Sequence, residues 1–310
     1  MPAGPIAHSY SDLGLAPTAS VTHEEREAGC LTQAKMAHVK EIFSRQGVVV
    51  VDAVMSHDAL DQLRLVADAN IVRAAVDPGG PQLSARAHPW VLPGIIANPI
   101  VESVASALLG SADRPGGCQL VAYGAGGGKL PGDLGVQDIH CDNHWDWRTP
   151  EKAAAADQPW PHETMSLVAN FGCEDITLER GATSIWPCSH KVVSVAKHDR
   201  GMHDHGDHMD MEVYWSAEMV GAAARGETWP ARMTMSKGAV TFRDTRTWHH
   251  AVPLLGTTVG DIRYQNTLVY ARKPFGRTRP RADDSVRPSA CLHVCRACNG
   301  LLSTASSSSV

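Results

Sequence analysis

From about Gly117 onward the chain is a series of short apolar segments separated by Gly, Pro and Asp residues. Short segments at such intervals are typical of strands in sandwiches and barrels. Six candidate strands span residues 119–123, 137–142, 165–171, 182–186, 239–242 and 262–270. The pattern predicts a mainly β fold with flanking helices, built on a double-stranded β-helix core of the jelly-roll, cupin-like kind.

The part of the chain before these strands has helical patterning. Apolar residues recur at helical spacing over 32–45, and Gly47 would end that helix. The run of four valines at 48–51 indicates a buried strand. Ser56 or Asp58 would then cap a further helix, and another is expected over 99–109.

The domain organisation follows from these patterns. Residues 1–30 are polar, rich in Pro and Ser, and expected to be poorly ordered. A single domain is expected over 31–272, with a lid-like insertion at 190–235. Residues 273–310 form a basic, cysteine-containing tail of low complexity. Its Cys291, His293, Cys295 and Cys298 leave a structural zinc site open as the alternative to a flexible segment.

Composition excludes several classes of protein. The 310 residues are 43% hydrophobic and carry a net charge of about −5, so nothing resembles a basic nucleic-acid surface. No apolar run is long enough to span a bilayer, and the first residues lack the charge order of a secretory signal. These features predict a cytoplasmic enzyme or binding protein with reduced thiols.

The motif His-x-Asp occurs four times in the chain. His140 and Asp142 follow an apolar, alternating stretch and a Gly-rich turn, where a strand would deliver its side chains inward. Two of the other three copies lie in the run 203–210, which has no strand pattern, contains Gly206 and is interpreted as a polar surface loop. Context therefore favours the first copy as a metal-binding motif.

A second pair of histidines, His249 and His250, ends the string RDTRTWHH, and Arg263 follows on a predicted strand. Two imidazoles and one carboxylate bind one face of a ferrous ion and leave three positions for a co-substrate and O₂. An arginine beyond the second histidine suggests a dicarboxylate such as 2-oxoglutarate, held by the guanidinium fork. Without the histidines, a surface salt bridge would be the better explanation of Arg263.

Four stretches in order resemble the phytanoyl-CoA dioxygenase family, the branch of Fe(II)/2-oxoglutarate enzymes that includes many secondary-metabolite oxygenases. FSRQGVVVVDAVMSHDALDQLR is similar to the opening helix–strand–helix of the family. QDIHCDNHWDW resembles its first ligand motif, and DITLERGATSIWPCSHK its Gly-Ala-Thr segment. KGAVTFRDTRTWHHAVP and DIRYQNTLVY resemble its distal histidine and arginine strands.

The resemblance implies specific roles for residues of this chain. The family's second histidine follows an aromatic residue, which selects His249 after Trp248, with His250 as the alternative. The implied iron ligands are His140, Asp142 and His249. The implied 2-oxoglutarate contacts are Arg263, Thr183 and Gln137, although Thr183 and Gln137 could equally be ordinary strand residues.

Four positions depart from the family pattern. Arg180 replaces an asparagine before Gly181, and Cys188 stands where glycine is usual before Ser-His. Ala251 and Leu254 occupy positions where relatives use serine and asparagine. None of these changes removes a metal ligand, but the 2-oxoglutarate pocket would use slightly different donors.

Together these features predict an Fe(II)/2-oxoglutarate-dependent dioxygenase that oxidises a C–H bond of a small hydrophobic metabolite. The chain has eight tryptophans against four phenylalanines, and several of them flank the site motifs, which suits an apolar substrate. A zinc hydrolase on the same barrel and a catalytically silent subunit paired with an active homologue are the alternatives. The oligomeric state is left open, with a homodimer compatible with the sequence.

Overall fold

The computed structural model describes residues 14–74, 92–110, 118–129, 142, 164, 166–191, 202–205, 208–211, 222–255 and 262–272. The helices are α1 (His23–Ala28), α2 (Gln33–Gln46), α3 (His57–Ala74), α4 (Pro93–Ile96) and α5 (Pro99–Leu108). The strands are β1 (Ala19–Ser20), β2 (Val48–Asp52), β3 (Cys118–Lys129), β4 (Ser166–Gly172), β5 (Ser184–Ile185), β6 (Met202–His205), β7 (His208–Met211), β8 (Ala231–Arg232), β9 (Val240–Asp244), β10 (His249–His250) and β11 (Arg263–Arg272).

Most of these strands form two sheets, and a third sheet is a separate hairpin. The larger sheet has the order β1-β2-β9-β4-β11-β3, with every pair antiparallel except β1 and β2. The smaller sheet has the antiparallel order β10-β5-β8. Late in the chain, successive strands alternate between the sheets: β8 and β10 lie in the smaller one, β9 and β11 in the larger one.

Local sequence explains where the helices begin and end. Thr22 and Glu25 form a capping box at the start of α1, and the Asn98 side chain accepts from the Val101 N–H at the start of α5. Helix α2 ends at Gly47, whose φ of 74° is a conformation that glycine adopts without strain. The helices and the strand at 48–52 confirm the pattern predicted for this part of the chain.

The two faces of the larger sheet pack against different partners. On its outer face, alternate residues such as Val49, Phe171 and Phe242 join Phe43 of α2 and Val104 of α5 in one apolar cluster. On its inner face, Val48 and Val50 pack against residues of the smaller sheet and its flanks, among them Ile185, Ala231 and Met233. The helices therefore cover the outer face, and the space between the sheets is bounded by the inner face.

Two predicted segments differ from the structure. Within the N-terminal 30 residues, β1 pairs with β2 and α1 is fully capped, so order begins well before residue 31. The run 203–210 is not a loop without strands: β6 and β7 pair antiparallel, with His205 opposite His208. The run lacks the apolar alternation that indicates a strand, so its sequence pattern did not reveal this pairing.

Other expectations fall partly or wholly outside the described residues. These are the tail at 273–310 with its cysteine cluster, the predicted strand at 137–141, and much of the insertion at 190–235. The described end of that insertion contributes β8 to the smaller sheet. Across the described ranges, no helix combines the length and the apolar character that crossing a bilayer requires.

Candidate functional site

A short turn between β9 and β10 carries the chain from one sheet to the other. The Thr247 N–H donates to the Asp244 carbonyl (2.9 Å), and the Thr247 hydroxyl donates to the Gly47 carbonyl (3.0 Å). The Trp248 N–H donates to Ser189 Oγ (2.9 Å), and the Trp248 side chain is only 1% exposed. These bonds fix the backbone directly before His249.

A buried ion pair stiffens the same turn. Arg246 donates through Nε to Asp244 Oδ1 (2.9 Å) and through Nη2 to Asp244 Oδ2 (2.6 Å). Thr164 Oγ1 donates to the same carboxylate at 2.7 Å. Burial alone would raise the pKa of Asp244, but the bonds from Arg246 and Thr164 hold that pKa below its usual value. Asp244 therefore stays charged and belongs to the support of the turn.

The structure brings Asp142 and His249 together. His249 Nε2 lies 3.6 Å from Asp142 Oδ2. With metal–ligand bonds of about 2.1 Å, two ligands stand about 3.0 Å apart at a right angle and about 3.5 Å apart at a tetrahedral angle. The two side chains need to move only slightly towards each other for both to bind one divalent ion. The Asp142 carboxylate and the His249 imidazole therefore fit a metal site of this kind.

The contacts of His249 favour the tautomer that can bind a metal through Nε2. Its Nδ1 lies 3.1 Å from the Thr247 carbonyl oxygen and also 3.1 Å from Arg243 Nη1. A carbonyl oxygen can only accept, so a proton on Nδ1 satisfies Thr247 and leaves Nε2 with its lone pair towards Asp142. In that tautomer Arg243 Nη1 and His249 Nδ1 are both donors, so their contact is not a hydrogen bond.

The neighbouring histidine has different surroundings. His250 lies opposite Ser184 in the strand pair, and its ring is tilted against that of Trp186, with centroids 5.5 Å apart. Successive side chains of a strand point to opposite faces, so His250 faces away from Asp142 when His249 faces it. The geometry favours His249 as the ligand of the two.

Arg263 is the first residue of β11 in the larger sheet, and Thr183 directly precedes β5 of the smaller sheet. Arg263 is 5% exposed, and its Nη1 donates to the Gly181 carbonyl. The Thr183 hydroxyl donates to Gln265 Oε1 at 3.1 Å. Alternation along a strand puts Gln265 on the same face as Arg263, but the sequence does not indicate its contact with Thr183.

Two further polar side chains line the inner face of the larger sheet. Asn170 and Thr241 are opposite each other on β4 and β9, at 2% and 0% exposure. Within the described part of the chain, Asn170 Oδ1 and Thr241 Oγ1 make no hydrogen bond. Buried groups of this kind call for a water or a polar ligand, so the space between the sheets suits a polar co-substrate.

Cys188 has a backbone conformation that favours glycine. Its φ is 70°, and the family that the sequence resembles usually has glycine at this position. That left-handed conformation is strained for a residue with a Cβ atom and free of strain for glycine. The Cys188 N–H donates to the Gln46 carbonyl (2.7 Å), which ties the segment before His190 to the end of α2.

Two of the predicted site residues, His140 and Gln137, lie outside the described residues. Among the residues that are described, no three His, Cys, Asp or Glu side chains are grouped so that they could hold a metal. Asp142 and His249 are thus two members of the predicted set of three. Arg243, which contacts both, was not singled out from the sequence, although strand alternation with Phe242 was a signal that it would face inward.

Comparison with known proteins gives a likeness at the level of structure. No family model matches the chain. The non-haem, 2-oxoglutarate-dependent carbocyclase SnoK from nogalamycin biosynthesis superposes with a TM-score of 0.50 at 17% identity, over 86% of this chain and 90% of its own. The epimerase SnoN, solved with Fe³⁺, 2-oxoglutarate and nogalamycin RO, has a TM-score of 0.50 at 16% identity, over 78% of this chain and 85% of its own. EvdMO1 has a TM-score of 0.51 at 16% identity, over 77% of this chain and 50% of its own.

At these identities the likeness concerns the fold. The chain shares its overall fold with SnoK and SnoN. One fold can host many activities, so this likeness leaves the function to be argued from the site.

Proposed function

We propose that this protein is an Fe(II)/2-oxoglutarate-dependent dioxygenase. The observation that carries the proposal is the approach of His249 Nε2 to Asp142 Oδ2, at 3.6 Å, beside a buried inner face that holds Arg263. Asp142 and His249 are far apart in the sequence and close together in the structure, which supports the proposal. A zinc hydrolase would use the same ligands but gives no role to the inward-facing arginine.

The finer assignment of the fold is part of this proposal. Alternation of β8, β9, β10 and β11 between two sheets is the connectivity of a double-stranded β-helix, and the four sequence stretches resemble the phytanoyl-CoA dioxygenase family. Both features support a jelly-roll core of that type.

The chain's own residues would act by binding and orientation. His140, Asp142 and His249 would hold the metal on one face, and the Thr247 carbonyl would keep the His249 ring in its binding tautomer. Arg263 would pair with the remote carboxylate of 2-oxoglutarate, with Thr183 and Gln137 as further donors. When bound, ferrous iron with 2-oxoglutarate and O₂ supplies the oxidising power for a C–H bond of the substrate.

We propose a small hydrophobic metabolite as the substrate. The support is the tryptophan content of the site motifs, of which Trp186 is buried beside the smaller sheet, and the origin of SnoK and SnoN in secondary metabolism. Hydroxylation, desaturation or a related C–H oxidation is the expected outcome. A cytoplasmic location and a homodimer would be compatible with this activity.

An anaerobic titration of the Fe(II)-loaded protein with 2-oxoglutarate tests the proposal. The expected result is a visible charge-transfer band from the iron chelate, because 2-oxoglutarate would bind the metal through two oxygens. The band should be lost in His249→Ala, kept in His250→Ala, and require at least tenfold more 2-oxoglutarate in Arg263→Ala, where one buried charge-assisted contact is removed.

The alternatives predict different results. A zinc hydrolase would show metal-dependent activity without O₂ or 2-oxoglutarate. A silent subunit would stay folded without forming the chelate band. If well-folded, iron-bound protein shows no band, the oxygenase proposal is wrong and one of these alternatives takes its place.

A further inference from the structure

Arg243 is a buried cation between the two proposed metal ligands. It lies on the inner face of β9 and is 3% exposed. Its Nη2 donates to Asp142 Oδ2, and its Nη1 lies 3.1 Å from His249 Nδ1. The two ligands belong to segments about a hundred residues apart, so a single guanidinium contacts both across that separation.

We propose that Arg243 is a positioning residue that clamps Asp142 beside His249 in the orientation needed to bind the metal. This inference rests on the proposed function, because it concerns the same metal site. The clamp acts through the Nη2 donor that a planar guanidinium holds in a fixed direction, which a flexible ammonium does not provide.

The physical argument concerns the freedom of the two side chains. An Asp carboxylate can rotate about its terminal bond, and an imidazole can rotate about χ2, so an unsupported pair would sample many arrangements. The Thr247 carbonyl restrains the imidazole from one side, and Arg243 holds the carboxylate beside it. Outer-shell contacts of this kind typically change metal affinity by about 10–100-fold when removed.

Charge and geometry have opposite effects at this position, which makes the proposal testable. A guanidinium beside a metal site repels a divalent cation, so loss of its charge alone would tighten metal binding. Loss of the clamp would weaken it. Arg243→Lys keeps the charge and removes the fork, whereas Arg243→Gln removes both.

The measurement is the Fe(II) dissociation constant of each variant, determined anaerobically without O₂ or turnover. The expected result is a rise of at least tenfold in Arg243→Lys and a smaller rise in Arg243→Gln, with Fe(II) at saturation still giving the 2-oxoglutarate band. Arg232→Gln is the matched control: Arg232 is also buried, at 9% exposure, but its Nε donates to the Ala182 carbonyl. Its Fe(II) affinity should stay at the wild-type value.

Thermal unfolding of every variant separates a folding defect from a metal defect. If Arg243→Gln does not fold, the decision rests on Arg243→Lys. Wild-type Fe(II) affinity in folded Arg243→Lys, or tighter binding in folded Arg243→Gln, would overturn the clamp. If the wild-type protein itself forms no chelate band, the proposed function fails, which is a separate result.

Discussion

The outer face of the larger sheet carries side chains such as Leu167, Phe171 and Phe242, whereas the inner face of the same strands carries Asn170, Thr241 and Arg243. Both sets are almost completely buried. The outer set packs on helices and contributes hydrophobic free energy. The inner set faces the other sheet, and two of its polar atoms, Asn170 Oδ1 and Thr241 Oγ1, make no hydrogen bond within the described residues.

Burial stabilises the protein on the outer face of the sheet, whereas on the inner face the burial of polar atoms without a partner among the described residues destabilises it. A polar atom buried without a partner destabilises the folded state, so an inner face of this kind is retained only if it does something else. Functional sites are where such local conflicts are expected. Substitutions on the two faces should therefore have opposite consequences for stability.

The largest expected loss of stability comes from the outer face. Phe242→Ala removes a side chain that is 0% exposed and leaves a cavity beneath the helices. The free energy of unfolding should fall by about 3–5 kcal/mol, measured by urea denaturation. The Fe(II) affinity of the folded fraction should not change, since Phe242 points away from the site. A loss below about 1 kcal/mol would mean that the outer cluster is not the main core.

His190 is a buried polar residue away from the inner face, and its effect on stability depends on pH. His190 is 6% exposed, its Nε2 lies 3.3 Å from the Ser44 carbonyl, and burial lowers its pKa to about 4. The unfolded state therefore binds a proton below about pH 6.5 that the folded state does not accept until about pH 4. Stability present above pH 6.5 should be lost as the pH falls to 4, by up to about 3 kcal/mol.

His190→Gln is the variant that isolates this effect. Urea denaturation at several pH values between 7.5 and 4.5 should give a flatter profile for the variant than for the wild-type protein. Parallel profiles would show that His190 is protonated in the folded state and that other groups cause the loss in acid.

The smallest expected effects come from two adjacent residues of β9. Val240 faces outward and Thr241 inward, and both are 0% exposed. Val240→Thr would place a hydroxyl in the apolar cluster and should lower the free energy of unfolding by about 2 kcal/mol. Thr241→Val removes a hydroxyl and should raise it by about 1 kcal/mol. Destabilisation by Thr241→Val would instead indicate a stable partner for that hydroxyl.

The periodicity of apolar residues predicted much of the fold, because the helices and strands pack through the apolar residues of the larger sheet's outer face. Helices α2, α3 and α5 and strands β4 and β9 have one apolar side, β2 is apolar on both sides, and their positions were confirmed within a few residues. Strands β1, β6, β7, β8 and β10 were missed. Strands β6 and β7 have polar sequences, and β1, β8 and β10 have only two residues each, so neither period nor length distinguishes them.

The site was less accessible from the sequence than the fold. The motifs selected Asp142, His249 and Arg263 as candidates, because metal ligands and their spacing leave a pattern in the sequence. Arg243 and Gln265 leave no such pattern. Their contacts with Asp142, His249 and Thr183 depend on which strands lie next to or opposite their own. That information requires sheet order and register, which alternation along one strand does not contain.

The N-terminal segment has a consequence for how the protein folds. Gly14 bridges to Arg232 of the smaller sheet, the Leu15 N–H donates to the Arg232 carbonyl (2.9 Å), and β1 pairs with β2 in the larger sheet. Gly14 and Leu15 are thus held by strand β8, which lies far along the chain. Because contacts so distant in sequence close a long loop, this segment should dock late, after the two sheets have met.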